Sequence, residues 1–158
     1  HPAYDYINYH VGGEMRKPKI KKLKLSTEKK RAWTNFSKYI RLRDAIKTTG
    51  IKIISECYTC GKQYPINGIG CLQAGHFIPG RGNSELIDEV GVHAQCYNCN
   101  VNLRGNWVEF ERHLLKDYGQ KEVDRLKANK GKVVQRKAIE WNEIAKEYAI
   151  KYTKLLEE

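Results

Sequence analysis

The sequence predicts an α+β fold in which a zinc-bound core is flanked by helices at both ends. Two Cys-x-x-Cys pairs, Cys57/Cys60 and Cys96/Cys99, lie in a segment broken by glycine and asparagine that has only short β-prone stretches. Apolar residues recur at helical spacing before and after that segment. Because the chain has 158 residues, we expect one compact domain with a modest core.

The positive charge is concentrated in the first third of the chain. The formal net charge is +11, and residues 1–56 hold 14 Lys and Arg against 5 Asp and Glu. This asymmetry favours a polyanionic partner, most simply nucleic acid, over the alternative of a solubilising tail. No apolar run approaches the ~18 residues of a membrane span and no secretory signal pattern is visible, so we expect a cytoplasmic protein without a membrane partner.

An irregular basic arm, residues 1–25, comes first. It contains "MRKPKIKKLKL", in which a proline interrupts a run of lysines that has no helical period. We expect this arm to bind phosphate groups through charge alone. The lysines expected to do so are Lys17, Lys19, Lys21 and Lys22.

A first helix is predicted over residues 26–50. Ser26 or Thr27 can cap its first turn, and Gly50 is typical of a helix end. The apolar positions at helical spacing are expected to pack in the core, and they include Trp33, Phe36 and Ile40.

The paired cysteines predict a structural zinc site inside a core that spans residues 51–119. A two-residue gap lets both thiolates of a pair reach one ion, and two pairs complete a tetrahedron. The alternative, two separate reduced thiol pairs, is disfavoured because the segment has so little apolar content. Four thiolates leave no open position on the ion, so any catalysis must come from other residues. The long interval between the pairs requires an inserted hairpin, and Cys71 is expected to be a small buried side chain.

Helices are predicted for the rest of the chain. "NWVEFERHLLKDYG" ends the core at Gly119, and "KEVDRLKAN" lies at the start of a C-terminal helical region, residues 120–158. The last helix is expected from about Val133 to Leu156, with an apolar stripe that includes Trp141 and Tyr148.

Two polar residues of the inserted segment suggest chemistry. His76 lies in "GHFIPG", where a histidine is either a base that takes a proton from water or a hydrogen-bonding residue of the hairpin. Asn100 directly follows the last cysteine, where an amide oxygen either binds a hard cation or closes a turn. The spacing of the residues alone does not decide between the two roles of either residue.

Three stretches carry a resemblance to a known family. "LQAGHF", "VHAQCYNCN" and "LRGNWVEF" resemble the His-Asn-His (HNH, or ββα-metal) nuclease motif in its form with a four-cysteine zinc. The chain looks most like the NinG/Rap family of lambdoid phage recombination endonucleases, over about residues 57–119. It is also similar to endonuclease VII, over the zinc site and hairpin only. The resemblance implies a nuclease that acts on branched recombination intermediates such as Holliday junctions and D-loops.

The resemblance also assigns roles to residues. His76 matches the general base, and Asn100 matches the final ligand of a catalytic Mg²⁺ or Mn²⁺ ion. Two positions depart from the motif, because Gly75 stands where many of these enzymes have a metal-binding aspartate and Gly91 stands where the motif has its middle asparagine. The site is therefore expected to be either altered or inactive.

Three residues are candidates to replace the missing ligand. Glu109 is either a ligand or half of a capping box with Asn106. His93 is either a ligand or a hydrogen-bonding residue of the hairpin, and His113 is either a ligand or part of a solvated helix face.

The predicted activity is metal-dependent phosphodiester hydrolysis, in which Arg81 and Arg104 bind neighbouring phosphates. Two symmetric cuts in a junction favour a homodimer. The alternatives are a zinc-stapled DNA-binding factor without catalysis, which recruits other recombination proteins, and a nuclease that acts on RNA. A phage-encoded protein of this kind is expected in the host cytoplasm.

Overall fold

The computed structural model describes residues 22–79 and 84–158, and it confirms the predicted α+β class. Four α-helices, one π-helical turn and four short strands follow one another in the described residues. Their bounds are α1 Leu25–Thr48, β1 Ile54–Glu56, β2 Gln63–Pro65, β3 Gln73–His76, β4 Val92–Gln95, the π-helical turn Asn98–Asn102, α2 Trp107–Tyr118, α3 Gln120–Ala128 and α4 Ala138–Glu157.

The strands form two separate antiparallel hairpins. The first pairs β1 with β2, and its turn carries the first cysteine pair. The second pairs β3 with β4, with Gly75 opposite His93 and His76 opposite Val92. This second hairpin is the one predicted between the two cysteine pairs.

The two long helices, α1 and α4, pack against each other along an apolar seam. Phe36 and Ile40 of α1 are fully buried, and Tyr148 of α4 stacks edge-on against Phe36 with ring centroids 4.8 Å apart. A hydrogen bond also joins the two helices, since the Asn35 side-chain amide donates to the Ala145 carbonyl at 2.8 Å. This packing confirms the core role predicted for the apolar stripe of α1.

A second apolar cluster holds α2 and α3 under the β3–β4 hairpin. Its buried residues are Phe77, Ile78, Phe110, Leu114, Val123 and Leu126. Gly91, just before β4, lies so close to this cluster that an added Cβ would meet Leu126 Cδ2 at 2.9 Å. A side chain is therefore excluded where the motif has its middle asparagine.

Three helix starts differ from the sequence prediction. In α1 the N-cap residue is Lys24, so Ser26 lies inside the first turn and caps nothing. In α2, Asn106 has left-handed backbone angles and no capping bond, so the predicted capping box with Glu109 is absent. Helix α4 begins at Ala138, five residues after Val133, where the Glu140 carboxylate accepts a bond from the Lys137 N–H. Helix α4 thus starts with a local capping box, whereas no side-chain capping bond forms at the start of α1 or α2.

None of the helices in the described part of the chain combines the length and the apolar character that crossing a bilayer requires.

Candidate functional site

The four paired cysteines converge on one point. Their sulfur atoms all lie within 4.8 Å of one another, and the Sγ atoms of Cys60 and Cys96 are 3.9 Å apart. A tetrahedral ion with metal–sulfur bonds of about 2.3 Å places its sulfur ligands roughly 3.8 Å apart. The four cysteines are therefore positioned to bind one metal ion, as predicted.

The pKa values of these thiols also favour the binding of a metal ion. Burial raises the pKa of Cys57, but bonds from the Thr59 hydroxyl and from the Cys96 N–H bring it down to about 7. Burial raises the pKa of Cys60 to about 12, and the neighbouring Cys57 thiolate adds to that rise. A cation among the four sulfur atoms would stabilise their thiolate forms against mutual repulsion.

Cys71 lies outside this cluster. Its side chain is only partly buried, and the Arg41 guanidinium contacts its sulfur at 3.6 Å. The predicted small buried side chain is therefore wrong, because Leu72 turns into the core at this point and leaves Cys71 at the surface.

His76 ends β3, and two residues that are distant in sequence hold its ring. Trp33 of α1 stacks on the imidazole with ring centroids 5.1 Å apart and a 20° interplanar angle. The Leu86 carbonyl lies 3.3 Å from Nε2. Because a carbonyl oxygen only accepts, Nε2 is the donor of a hydrogen bond at this contact.

A cleft of about 250 Å³ opens beside His76. The turn after the second cysteine pair supplies its other polar wall, through Asn100, Arg104 and Gly105. The structure thus brings together three of the predicted site residues, His76, Asn100 and Arg104. None of the described residues that line this cleft carries a carboxylate.

Side-chain amides occupy the place of the missing aspartate. A Cβ added to Gly75 would lie 1.9 Å from Gln95 Oε1 and 3.0 Å from Asn100 Oδ1. Asn100 is held by its Nδ2, which donates to Gln73 Oε1 at 2.7 Å. Gly75 therefore cannot carry a side chain while Gln95 keeps its position.

The side-chain amide of Gln95 has hydrogen-bond partners for its nitrogen but none for its oxygen among the described residues. It is fully buried, and its Nε2 donates to Thr59 Oγ1 and to the Gly105 carbonyl. Its Oε1 has no hydrogen-bond partner among the described residues. A buried amide oxygen without a hydrogen-bond partner lowers the stability of the fold. Gln95 Oε1 and Asn100 Oδ1 are also neutral oxygen atoms of the kind that bind a hard cation.

His93 lies on the other face of the hairpin and is 1% exposed. Its Nε2 is 3.0 Å from the Val90 carbonyl, and Arg43 approaches its Nδ1 at 3.1 Å. Tyr58 stacks on the ring at 3.8 Å. The structure does not bring His93 to the cleft, and its contacts are those of a hydrogen-bonding core residue.

The remaining candidates lie apart from the cleft. Glu109 is on α2, where Arg112 pairs with it at 2.8 Å. His113 lines a different cleft, of about 330 Å³, together with Lys47 and Lys116. Of the predicted phosphate contacts, Lys22 is exposed, while Arg81, Lys17, Lys19 and Lys21 lie outside the described residues.

Sequence analysis missed the residues that organise the cleft from a distance. The helical spacing of Trp33 predicts a core residue, although in the structure its ring stacks on His76. Leu86 acts through its backbone, which no side-chain pattern reveals. Gln95 was missed as well, because its place beside Gly75 depends on the pairing of β3 with β4.

A family model described as Bacteriophage Lambda NinG protein matches residues 11–158 of the chain. No curated protein sequence and no solved structure matches it.

Proposed function

The chain belongs to the bacteriophage lambda NinG family, a recombination-related family of phage proteins, and on that premise we propose that it is a structure-selective DNA endonuclease. Its substrates are branched recombination intermediates such as Holliday junctions and D-loops. The reaction is hydrolysis of a phosphodiester bond, which releases a 3′ hydroxyl and leaves a 5′ phosphate.

The observation that carries this proposal is the cleft that His76 shares with Asn100 and Arg104. His76 lines this cleft and is the base that takes the proton of a water as the water oxygen attacks phosphorus. Arg104 is exposed at the rim, where its guanidinium binds a neighbouring phosphate. Stacking on Trp33 keeps the imidazole in one orientation through this step.

The amide oxygens of Asn100 and Gln95 are the donors that would hold a divalent cation. The chemistry that Mg²⁺ or Mn²⁺ supplies there when bound is polarisation of the phosphate and stabilisation of the departing 3′ oxygen. Two neutral donors hold such an ion weakly, so phosphate oxygens of the DNA must complete its coordination.

We assign the four-cysteine cluster to structural zinc. An all-sulfur tetrahedral set suits Zn²⁺, and it leaves no position for substrate. The ion ties the β1–β2 turn to the segment after β4, whose second cysteine, Cys99, directly precedes Asn100. Zinc therefore positions the catalytic turn without taking part in the reaction.

The partner is DNA, and the excess of basic residues supports this assignment. Two symmetric cuts require two active sites, which favours a homodimer at the junction. The place of action is the host-cell cytoplasm, where other recombination proteins of the phage meet the same intermediates.

A second candidate function is DNA binding without cleavage. The absence of a carboxylate among the described residues that line the cleft favours it, because Mg²⁺ sites in proteins usually contain one or two. In that case the chain holds junctions for other recombination proteins.

Cleavage of an end-labelled four-way junction tests the proposal. The protein is mixed with the junction, a linear duplex of the same sequence or single-stranded RNA, each with Mg²⁺, Mn²⁺ or EDTA. We expect metal-dependent cutting of the junction well above that of the other two substrates. Binding without cutting under every metal condition would support the non-catalytic alternative, and preferential cutting of RNA would contradict the DNA assignment.

A further inference from the structure

Exposed apolar side chains are concentrated in the segment that follows the second cysteine pair. Five large ones lie within residues 97–108, each between 44% and 60% exposed. They are Tyr97, Val101, Leu103, Trp107 and Val108, and we call them the knuckle patch. Exposed apolar groups this close together on a small protein commonly mark an interaction surface.

The knuckle patch borders the cleft. Asn100, Arg104 and Gly105, which form one wall of the cleft, are interleaved with the patch residues in the same turn. Leu103 precedes Arg104, and Trp107 is the first residue of α2, two positions after Gly105. Whatever binds the patch therefore lies next to the bond that His76 is positioned to hydrolyse.

A strained turn holds this segment open. Arg104 and Asn106 have φ values of 51° and 46°, in the left-handed region that costs non-glycine residues about 1 kcal/mol or more. Two contacts with Cys99 fix this turn. The Gly105 N–H donates to the Cys99 carbonyl at 2.9 Å, and Asn106 Nδ2 contacts Cys99 Sγ at 3.6 Å. The metal-bound cysteine pair thus fixes the backbone from which Arg104 and Trp107 project.

The charge beside the patch identifies its occupant. Arg104 is exposed and has no ion pair with any described residue, so its guanidinium is available to a phosphate. The chain carries a net charge of +11. An indole and aliphatic side chains beside an unpaired arginine suit a partner with apolar flat faces and phosphates, which is nucleic acid with unstacked bases.

We propose that Trp107, flanked by Leu103 and Arg104, stacks on an unpaired or terminal base at the branch point of the DNA, and that this contact gives the preference for branched over linear DNA. This inference rests on the proposed function. In a linear duplex each base is already stacked, and opening a step costs a few kcal/mol. At a branch point that cost is largely absent, so the indole gains stacking there and not on linear duplex.

Binding measured separately from cleavage tests the inference. Dissociation constants for a four-way junction and a linear duplex are determined in EDTA, for wild type, Trp107→Ala, Trp107→Phe and Ile150→Ala. Ile150 is a matched control, because it is 58% exposed on α4 and Trp107 is 59% exposed. We expect Trp107→Ala to lose about 5- to 100-fold in junction affinity with unchanged duplex affinity, since stacking one base on an aromatic ring is worth that much.

Two further measurements make the contact specific. A junction with 2-aminopurine at the branch point should lose fluorescence on binding wild type and Trp107→Phe, and keep it with Trp107→Ala. Light scattering should give the same mass for wild type and Trp107→Ala. A lower mass for the variant would overturn the inference in favour of a surface that binds a second copy of the chain.

Other outcomes separate this inference from the proposed catalysis. Equal losses on junction and duplex, or no loss on either, would overturn the role of Trp107 even if the protein cuts junctions. Equal binding of junction and duplex by wild type would overturn it as well. A chain that never cuts DNA but shows the predicted loss of junction affinity would contradict the nuclease proposal alone and support branch recognition by Trp107.

Discussion

The two faces of the β3–β4 hairpin carry a histidine each, and the two histidines differ in their exposure and in the charged groups around them. His76 lines an open cleft, with its ring between Trp33 and the Leu86 carbonyl. His93, on the neighbouring strand, is 1% exposed and packed between Tyr58 and charged groups of α1. Because residue 75, and not residue 76, is opposite His93, the strand alternation sends the two rings to opposite sides.

The buried face uses its polar groups to hold the fold together. Asp44 of α1 accepts the Ala94 N–H at 2.7 Å and Arg43 at 2.8 Å, and it contacts His93 at 3.2 Å. Burial alone would raise the pKa of Asp44, but its contacts with His93, Arg43 and the Ala94 N–H hold that pKa below its usual range. Burial lowers the pKa of His93, and its contact with Asp44 opposes that shift without reversing it.

Further along β4, on the His93 face and next to the turn that carries Asn100, one polar group is left without a partner. Gln95 Oε1 is buried without a partner among the described residues, and Asn100 Oδ1 lies beside it near Gly75. The hairpin therefore carries a hydrogen-bonded polar network around His93 and an unpartnered amide oxygen at Gln95, and Asn100 reaches from that amide to the cleft that His76 lines. The histidine inside the network acts in stability, and the histidine beside the cleft is the one proposed to act in chemistry.

Loss of a metal ligand should damage both faces at once and have the largest effect. We expect Cys96→Ser to lose the bound ion and to unfold at least residues 51–105, because a structural zinc contributes several kcal/mol or more of folding free energy. Elemental analysis and thermal unfolding measure the two consequences. Cys71→Ser is the control and should keep full zinc content, since Cys71 lies outside the cluster. Unchanged metal content and stability in Cys96→Ser would contradict the assignment.

Disruption of the buried face alone should cost stability and leave the chemistry intact. We expect His93→Ala to destabilise the fold by about 3 kcal/mol, because it removes the ring packed on Tyr58 and a partner of buried Asp44. Denaturant unfolding gives the loss, and junction cleavage is measured at a temperature where the variant is folded. A large loss of cleavage by the folded variant would place His93 in the catalytic site.

The buried face also predicts how stability depends on pH. The pKa of His93 is lower in the folded state, so below about pH 6.5 the unfolded chain binds more protons and stability falls. Asp44 adds a second loss at lower pH, because its stabilising effect is present above about pH 3.9 and disappears as the carboxylate is protonated. Unfolding free energies between pH 8 and pH 4 should show the first loss in wild type and not in His93→Ala.

Disruption of the open face alone should reduce activity and not stability. We expect Asn100→Ala to cut junctions about 10- to 100-fold more slowly at limiting Mg²⁺, with partial recovery at high Mn²⁺, because it removes one donor to a weakly held cation. Asn102→Ala is a matched control, since Asn102 is exposed in the same turn and bonds only to Asn98 among the described residues. Equal rates for the two variants would remove Asn100 from the site.

The smallest expected effect concerns Glu109. Its carboxylate forms an exposed pair with Arg112, so Glu109→Ala should change stability by less than about 1 kcal/mol. Junction cleavage at several Mg²⁺ concentrations then decides whether the Glu109 carboxylate of α2 is a ligand of the catalytic cation. A slower variant that high Mn²⁺ rescues would make Glu109 the replacement ligand, and an unchanged rate would leave the cation to amide oxygens alone.

The metal cluster and the cleft differ in how much their sequence reveals. The spacing of Cys57, Cys60, Cys96 and Cys99 was enough to predict one metal site, because each pair is local and the donors are of one type. The helices followed from the periodicity of apolar residues, and the hairpin followed from the long interval between the two cysteine pairs. The caps of α1 and α2 did not, because α1 starts at Leu25 without a side-chain cap, and Asn106 before α2 has left-handed backbone angles and turns its side chain to Cys99 Sγ.

The cleft depends on residues that no local pattern connects. Trp33 reaches His76 from 43 positions away in the chain, and Gln95 fills the space beside Gly75 only because β3 and β4 pair in this register. The substitution of aspartate by Gly75 looked like a missing ligand in the sequence. In the fold, the Gln95 and Asn100 side-chain amides occupy the space that a side chain at residue 75 would need.

The most direct test of the account is the single-turnover rate at which His76→Ala cuts a four-way junction. We expect a rate about 10²–10⁴-fold below that of wild type, because a general base is lost, with zinc content, unfolding free energy and junction affinity nearly unchanged. High Mn²⁺ should not restore the rate, and His113→Ala, in the other cleft, should cut normally. A His76→Ala protein that cuts junctions at the wild-type rate would contradict the central claim that the open face of the hairpin is a nuclease site.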